Sequence, residues 1–108
     1  MAKYPSNYRW ISSSYSKALK THQKLGAELL AAGPLKKKQA HLVQLGAAAA
    51  IRSEGAVHSH VRRALEAKAQ PAEIYHALLL LTSTIGFPAV SAALSWAREI
   101  IEKKKPSA

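Results

Sequence analysis

The chain contains no cysteine. Disulfides, zinc–thiolate centres and thiol catalysis are therefore excluded for this sequence. Acidic residues are also scarce: 6 Asp and Glu face 16 Lys and Arg, giving a formal net charge of +10. Glycine and proline number only five each, while 48% of the residues are hydrophobic and alanine and leucine dominate. That balance suits helices and argues against both a sheet and a disordered chain. Long hydrophobic runs are missing. The longest, Ala77-Leu78-Leu79-Leu80-Leu81, is far too short to span a bilayer. The N-terminus, Met1-Ala2-Lys3-Tyr4-Pro5-Ser6, has no apolar signal core. A cytoplasmic protein without a membrane anchor is expected.

A strongly basic chain raises the question of nucleic acid. Here six lysines fall in two runs, Lys36-Lys37-Lys38 and Lys103-Lys104-Lys105, at a helix start and a helix end. Solvated helix ends explain them better than a surface tracking phosphates, so nucleic acid is not an expected partner.

With 108 residues the chain is read as one helical domain over 12–105, preceded by an aromatic N-terminal arm over 1–11. The arm carries Tyr4, Tyr8, Trp10 and Ile11 without a period and is expected to be extended. Ser12-Ser13-Ser14 offers caps for a first amphipathic helix, which Gly33-Pro34 stops. A second helix, about 35–52, is apolar almost all round in its middle and is expected to be buried on most faces. Its Gly46 and alanine run allows another backbone to approach.

A third helix, from Ser53 or Gly55 to about Ala67, places Val57, His60, Val61 and Ala64 on one face. His58, Arg62 and Glu66 fall on another. His60 is thus expected toward the core and His58 toward the rim or solvent. Pro71-Ala72-Glu73 opens a fourth helix, expected to run buried to Ile85. A fifth runs from about Pro88 to Lys103. The fold class expected is all-α, a compact bundle of about five helices.

The richest stretch chemically is Arg52-Ser53-Glu54-Gly55-Ala56-Val57-His58-Ser59-His60-Val61-Arg62-Arg63-Ala64-Leu65. Together with Pro71-Ala72-Glu73-Ile74 and Gly86-Phe87-Pro88-Ala89 downstream, it resembles the carboxymuconolactone decarboxylase superfamily, which includes the alkylhydroperoxidase D-like proteins. The resemblance covers about residues 35–101. It implies an all-helical protomer that assembles into a homo-oligomer (dimer, trimer or hexamer) and needs no cofactor. In the peroxidase branch, a Cys-x-x-Cys pair attacks peroxide while a Glu one helix earlier and a His relay protons.

Laid onto this chain, the resemblance puts Ser53 and Ala56 at the two cysteine positions, His60 at the histidine and His41 at the glutamate. Three of the four depart from the pattern. Neither hydroxyl nor methyl can form a disulfide, so thiol peroxidase activity is not expected of this chain. The decarboxylase branch works by acid–base handling of an anion. His60, with Arg52, Arg62 or Arg63 holding a carboxylate of a small-molecule substrate, suits that alternative. A third reading, from another class, is a basic binding or assembly module using the lysine-rich ends.

Plainer roles compete at each position. Ser53 can simply cap the third helix, and Glu54 can favour its positive end. His41 and His60 can be packed core histidines. A metal held by His41, His60 and Glu54 has no chelating i, i+4 histidine pair behind it, so no metal site is expected. Trp96 and Phe87 read as core or interface anchors. Lys68 falls where the family often places a glycine; a left-handed turn strains a lysine, so the loop is expected to differ there.

Overall fold

A computed structural model describes residues 5–103 of the chain. Among them seven helices occur and no strand. They are α1 (Ser6–Ser14), α2 (Ser16–Ala31), α3 (Lys37–Ala50), α4 (Glu54–Glu66), α5 (Pro71–Leu79), α6 (Thr82–Ile85) and α7 (Phe87–Lys103). The expected all-α class holds. Among the described residues no helix is long and apolar enough to cross a membrane. The chain divides into two compact units, Met1–Pro34 and Leu35–Ala108, so a boundary falls inside the stretch read from sequence as one domain.

In the first unit, the segment expected to be extended is helical from Ser6 on. Pro5, extended at φ −54° and ψ 150°, precedes the helix and accepts its first backbone bond from Arg9. The serine run does not cap α2. It lies in the last turn of α1, where the Ser13 hydroxyl donates back to the Trp10 carbonyl. Tyr15, at φ −133° and ψ 50°, separates the two helices. The Gln23 side-chain amide donates to the Tyr8 hydroxyl at 2.8 Å, tying α2 to α1. Neither helix buries a residue. Residues 1–4 of the expected arm lie outside the described residues, as do Lys104 and Lys105 of the second lysine run.

The second unit holds the core. Leu45, Ala48 and Ala49 of α3 meet Val57, Val61 and Ala64 of α4, Ile74 and Leu78 of α5, and Ala93, Ala97, Ile100 and Ile101 of α7. Fully burying a Leu, Ile or Val side chain stabilises by about 1.5–3 kcal/mol. The alanines at the α4–α7 seam, Ala64, Ala93 and Ala97, are wholly inaccessible, which lets those helices approach closely. Trp96 packs against this core, whereas Phe87 is exposed. Over Gly46 lies the Leu81 side chain rather than another backbone, 3.7 Å from where a Cβ would stand.

Two sequence expectations need correction. α3 is not buried on most faces: Val43 is 63% exposed, Ala47 and Ala50 are exposed as well, and Ile51 just past its end is 75% exposed. The fourth helix does not run unbroken to Ile85 either. It stops at Leu79, whose carbonyl accepts from the Thr82 hydroxyl at 2.7 Å. That side-chain bond competes with the helical ladder, and α6 follows as a separate turn, leaving Leu79 and Leu80 exposed. Gly86, at φ +90°, then turns the chain into α7, a backbone angle that glycine adopts freely.

The turns around α4 are set by two left-handed residues. Arg52 (φ 56°) follows α3, and its N–H bonds the Ala49 carbonyl while that of Ser53 bonds Ala48. Lys68 (φ 77°) follows α4 in the same way, with Lys68 bonding Leu65 and Ala69 bonding Ala64. Both are Schellman closures. The loop at Lys68 therefore keeps the left-handed turn that the lysine was expected to preclude; the two carbonyls it satisfies and the burial of Ala69 hold it.

Candidate functional site: a histidine pair between α3 and α4

α3 begins with its Lys36 N–H capped by the Gln39 side chain at 3.0 Å. One turn on, His41 is buried, at 5% exposure. α4 begins at Ser53, whose Oγ accepts from the Ala56 N–H at 3.2 Å, and Glu54 sits in its first turn near the positive end. Two turns on, His60 faces α3. The His41 and His60 rings lie 5.7 Å apart, centroid to centroid, tilted by 35°. The expectation that His60 turns to the core side holds, and helix packing brings His41 to it.

Both rings keep a buried Nδ1 that meets no partner in bonding geometry, and the Gln44 side chain lies close enough to His41 to favour its charged form. Buried polar groups are normally bonded, and leaving one unpaired costs about 1–3 kcal/mol. Two such atoms on neighbouring rings mark a position kept for something other than stability. The electrostatics agree. Burial holds the pKa of His41 below that of a free histidine, and the Arg63 charge adds to this, against smaller opposing effects of Gln44 and Glu66. Burial likewise lowers that of His60, reinforced by His41 and Arg63. Both imidazoles are thus held toward the neutral form, able to take or pass a proton.

The other sequence candidates fall as follows. Ser53 is an N-cap, and no hydrogen bond joins its hydroxyl to either histidine. Ala56 is half-buried at the same helix start and offers only its backbone N–H. Arg52 is exposed and shapes the α3–α4 turn; Arg62 is half-buried. The guanidinium that acts on both histidines is that of Arg63. Glu54 turns away from the pair toward His58, which lies at the rim, its side chain 22% exposed and facing Glu99 of α7. Sequence reasoning missed Gln44, although a lone amide in the apolar run Leu42–Ile51, three residues after His41, is a signal one helical turn away.

At the far end of α4, the Glu73 carboxylate accepts from the Gln70 N–H at 2.8 Å and from Lys38 at 3.0 Å. These two bonds, the backbone one first, hold its pKa below the usual range. Lys38 is therefore engaged in linking the starts of α3 and α5.

Comparison with known proteins gives one match. The model of the carboxymuconolactone decarboxylase family aligns with residues 17–99, which adds most of α2 to the stretch whose words carried the resemblance. No curated protein and no solved structure matches the chain at a significant level. The matched span takes in every element around the histidine pair, and the chain belongs to the carboxymuconolactone decarboxylase family.

Proposed function

We propose that this is a family member that lacks thiol peroxidase chemistry while keeping the scaffold and the histidine of the site, His60. The observation that carries the reading is the state of the two cysteine positions. Ser53 spends its oxygen on the Ala56 N–H as a helix cap, and Ala56 has no reactive atom. Beside them stand two imidazoles held toward the neutral form, His41 buried and His60 half-buried, with His41 where the relay glutamate is expected.

The test is hydroperoxide reduction with a dithiol donor, run on the chain and on Ser53→Cys/Ala56→Cys. No turnover by the chain and turnover by the double variant are expected. A thiolate at position 53 would lie at the positive end of α4, where such a group is stabilised. Turnover by the chain itself would overturn the reading. Two folded but inactive proteins would mean that the site has diverged at His41 as well.

A second reading is favoured by the pair itself: cofactor-free acid–base catalysis on a small carboxylated substrate, with His60 exchanging the proton, His41 beside it and Arg63 attracting the anion. Under it, His60→Ala abolishes turnover of such a substrate and leaves the helical circular dichroism intact.

We also propose a cytoplasmic homo-oligomer. Val43, Ile51, Leu79, Leu80 and Phe87 are all more than half exposed, more large apolar surface than a small monomer readily leaves in water. Light scattering that returns a monomer at micromolar concentration would refute this.

A further inference from the structure

On the side of α4 away from the histidine pair, Glu54 and His58 stand one turn apart and face Glu99 of α7. The Nε2 of His58 lies 3.5 Å from a Glu99 oxygen and 4.0 Å from a Glu54 oxygen, and the three atoms all fall within 4.8 Å of one another. We infer that Glu54, His58 and Glu99 form a site for a divalent transition-metal ion, bridging α4 and α7.

Three observations support it. First, the chain has only 6 acidic residues against 16 basic ones, yet two of the six converge on one imidazole. Second, Nε2 is shielded from solvent and makes no hydrogen bond. The carboxylate oxygens of Glu99 and Glu54 stand 3.5 and 4.0 Å away, within ion-pair reach but beyond the usual N–H···O range, so both are close enough to be drawn onto a shared ion.

Third, the spacing suits. Ligands about 2.0–2.2 Å from a tetrahedral ion stand roughly 3.3 Å apart. His58 and Glu99 are already near that separation. Glu54 and Glu99 are 57% and 48% exposed, so their ends can close the remaining gap by rotation. The i, i+4 step from Glu54 to His58 places two ligands on one helix face.

One imidazole and two carboxylates suit Zn²⁺, Co²⁺, Mn²⁺ or Fe²⁺ and offer nothing to soft ions that demand thiolate. The ion would neutralise both carboxylates and clamp α4 to α7, with water completing its coordination from the open groove that Ser95, Arg98, Glu99 and Glu102 line.

The experiment is calorimetric titration of the full, tag-free chain with Zn²⁺, and with Co²⁺ followed by its visible absorption. One ion per chain is expected. His58→Gln and Glu99→Gln should each weaken binding by roughly tenfold or more, with helical circular dichroism unchanged. His22→Ala, His76→Ala and the double variant His41→Gln/His60→Gln should bind like the parent. Loss of binding in that double variant would move the ion to the histidine pair and overturn the assignment. So would binding indifferent to His58, or none at millimolar metal; the cluster would then be an ion pair alone. Because the readout is metal affinity, failure here leaves the proposed function standing, and the reverse.

Discussion

His41 and His60 come from helices that meet along their length, and His41 lowers the appetite of His60 for a proton. Their rings are 5.7 Å apart, and neither Nδ1 meets a partner in bonding geometry. A pair so placed is costly to charge, and that cost is measurable without knowing any substrate.

Stability should fall as the solution is acidified. Both histidines are lowered from 6.5 in the folded chain, so the unfolded chain binds more protons just below that value. The contribution is fully present above about pH 6.5 and is lost as pH drops from there through the folded-state values. Urea unfolding at pH 7.5 and 5.5 should show a lower midpoint at the acid end. In His41→Gln/His60→Gln the difference should shrink. An unchanged difference would remove the pair as its source.

Replacing either left-handed residue with glycine should stabilise the protein. Arg52 and Lys68 hold φ of 56° and 77°, where a side chain costs roughly 1 kcal/mol or more that glycine avoids. Arg52→Gly and Lys68→Gly should each raise stability by about 1 kcal/mol, less what glycine loses in chain entropy. Thermal melts of the two variants and of their combination check this. The turns are far apart on α4, so the effects should add.

Removing the Ser53 cap should cost about 1 kcal/mol. Its oxygen is the acceptor for Ala56 N–H, and Ser53→Ala leaves that donor without its partner. Ser53→Asp should recover the loss, since aspartate caps as well and adds charge at the positive end. Should Ser53→Ala prove as stable as the parent, the cap would not be the reason serine stands there, and a chemical role for the hydroxyl would regain weight.

Much of this was legible from residue order. Helical spacing and the breaks at Gly33-Pro34, Pro71 and Gly86 located the long helices, because those signals are local. Ser53 declared itself as a cap for the same reason. What spacing could not convey were outcomes decided between elements. Leu79 and Leu80 look like core in any apolar run, yet α5 ends at Leu79, where the Thr82 hydroxyl bonds its carbonyl, and both side chains stay exposed. His58 looked like a surface residue because Glu99, forty-one positions away, is invisible from α4. Lys68 shows the limit from the other side: a strained residue is accepted where a turn satisfies two carbonyls and seats a buried Ala69.

The exposed character of α1 and α2 has a consequence in time. With no residue buried in either helix, their amides are guarded only by helical hydrogen bonds, and those open without disturbing a core. Deuterium should enter residues 6–31 early. Leu45, Val57, Val61 and Ala93, shut inside the α3–α4–α7 seam, should take it up last, when the whole second unit opens.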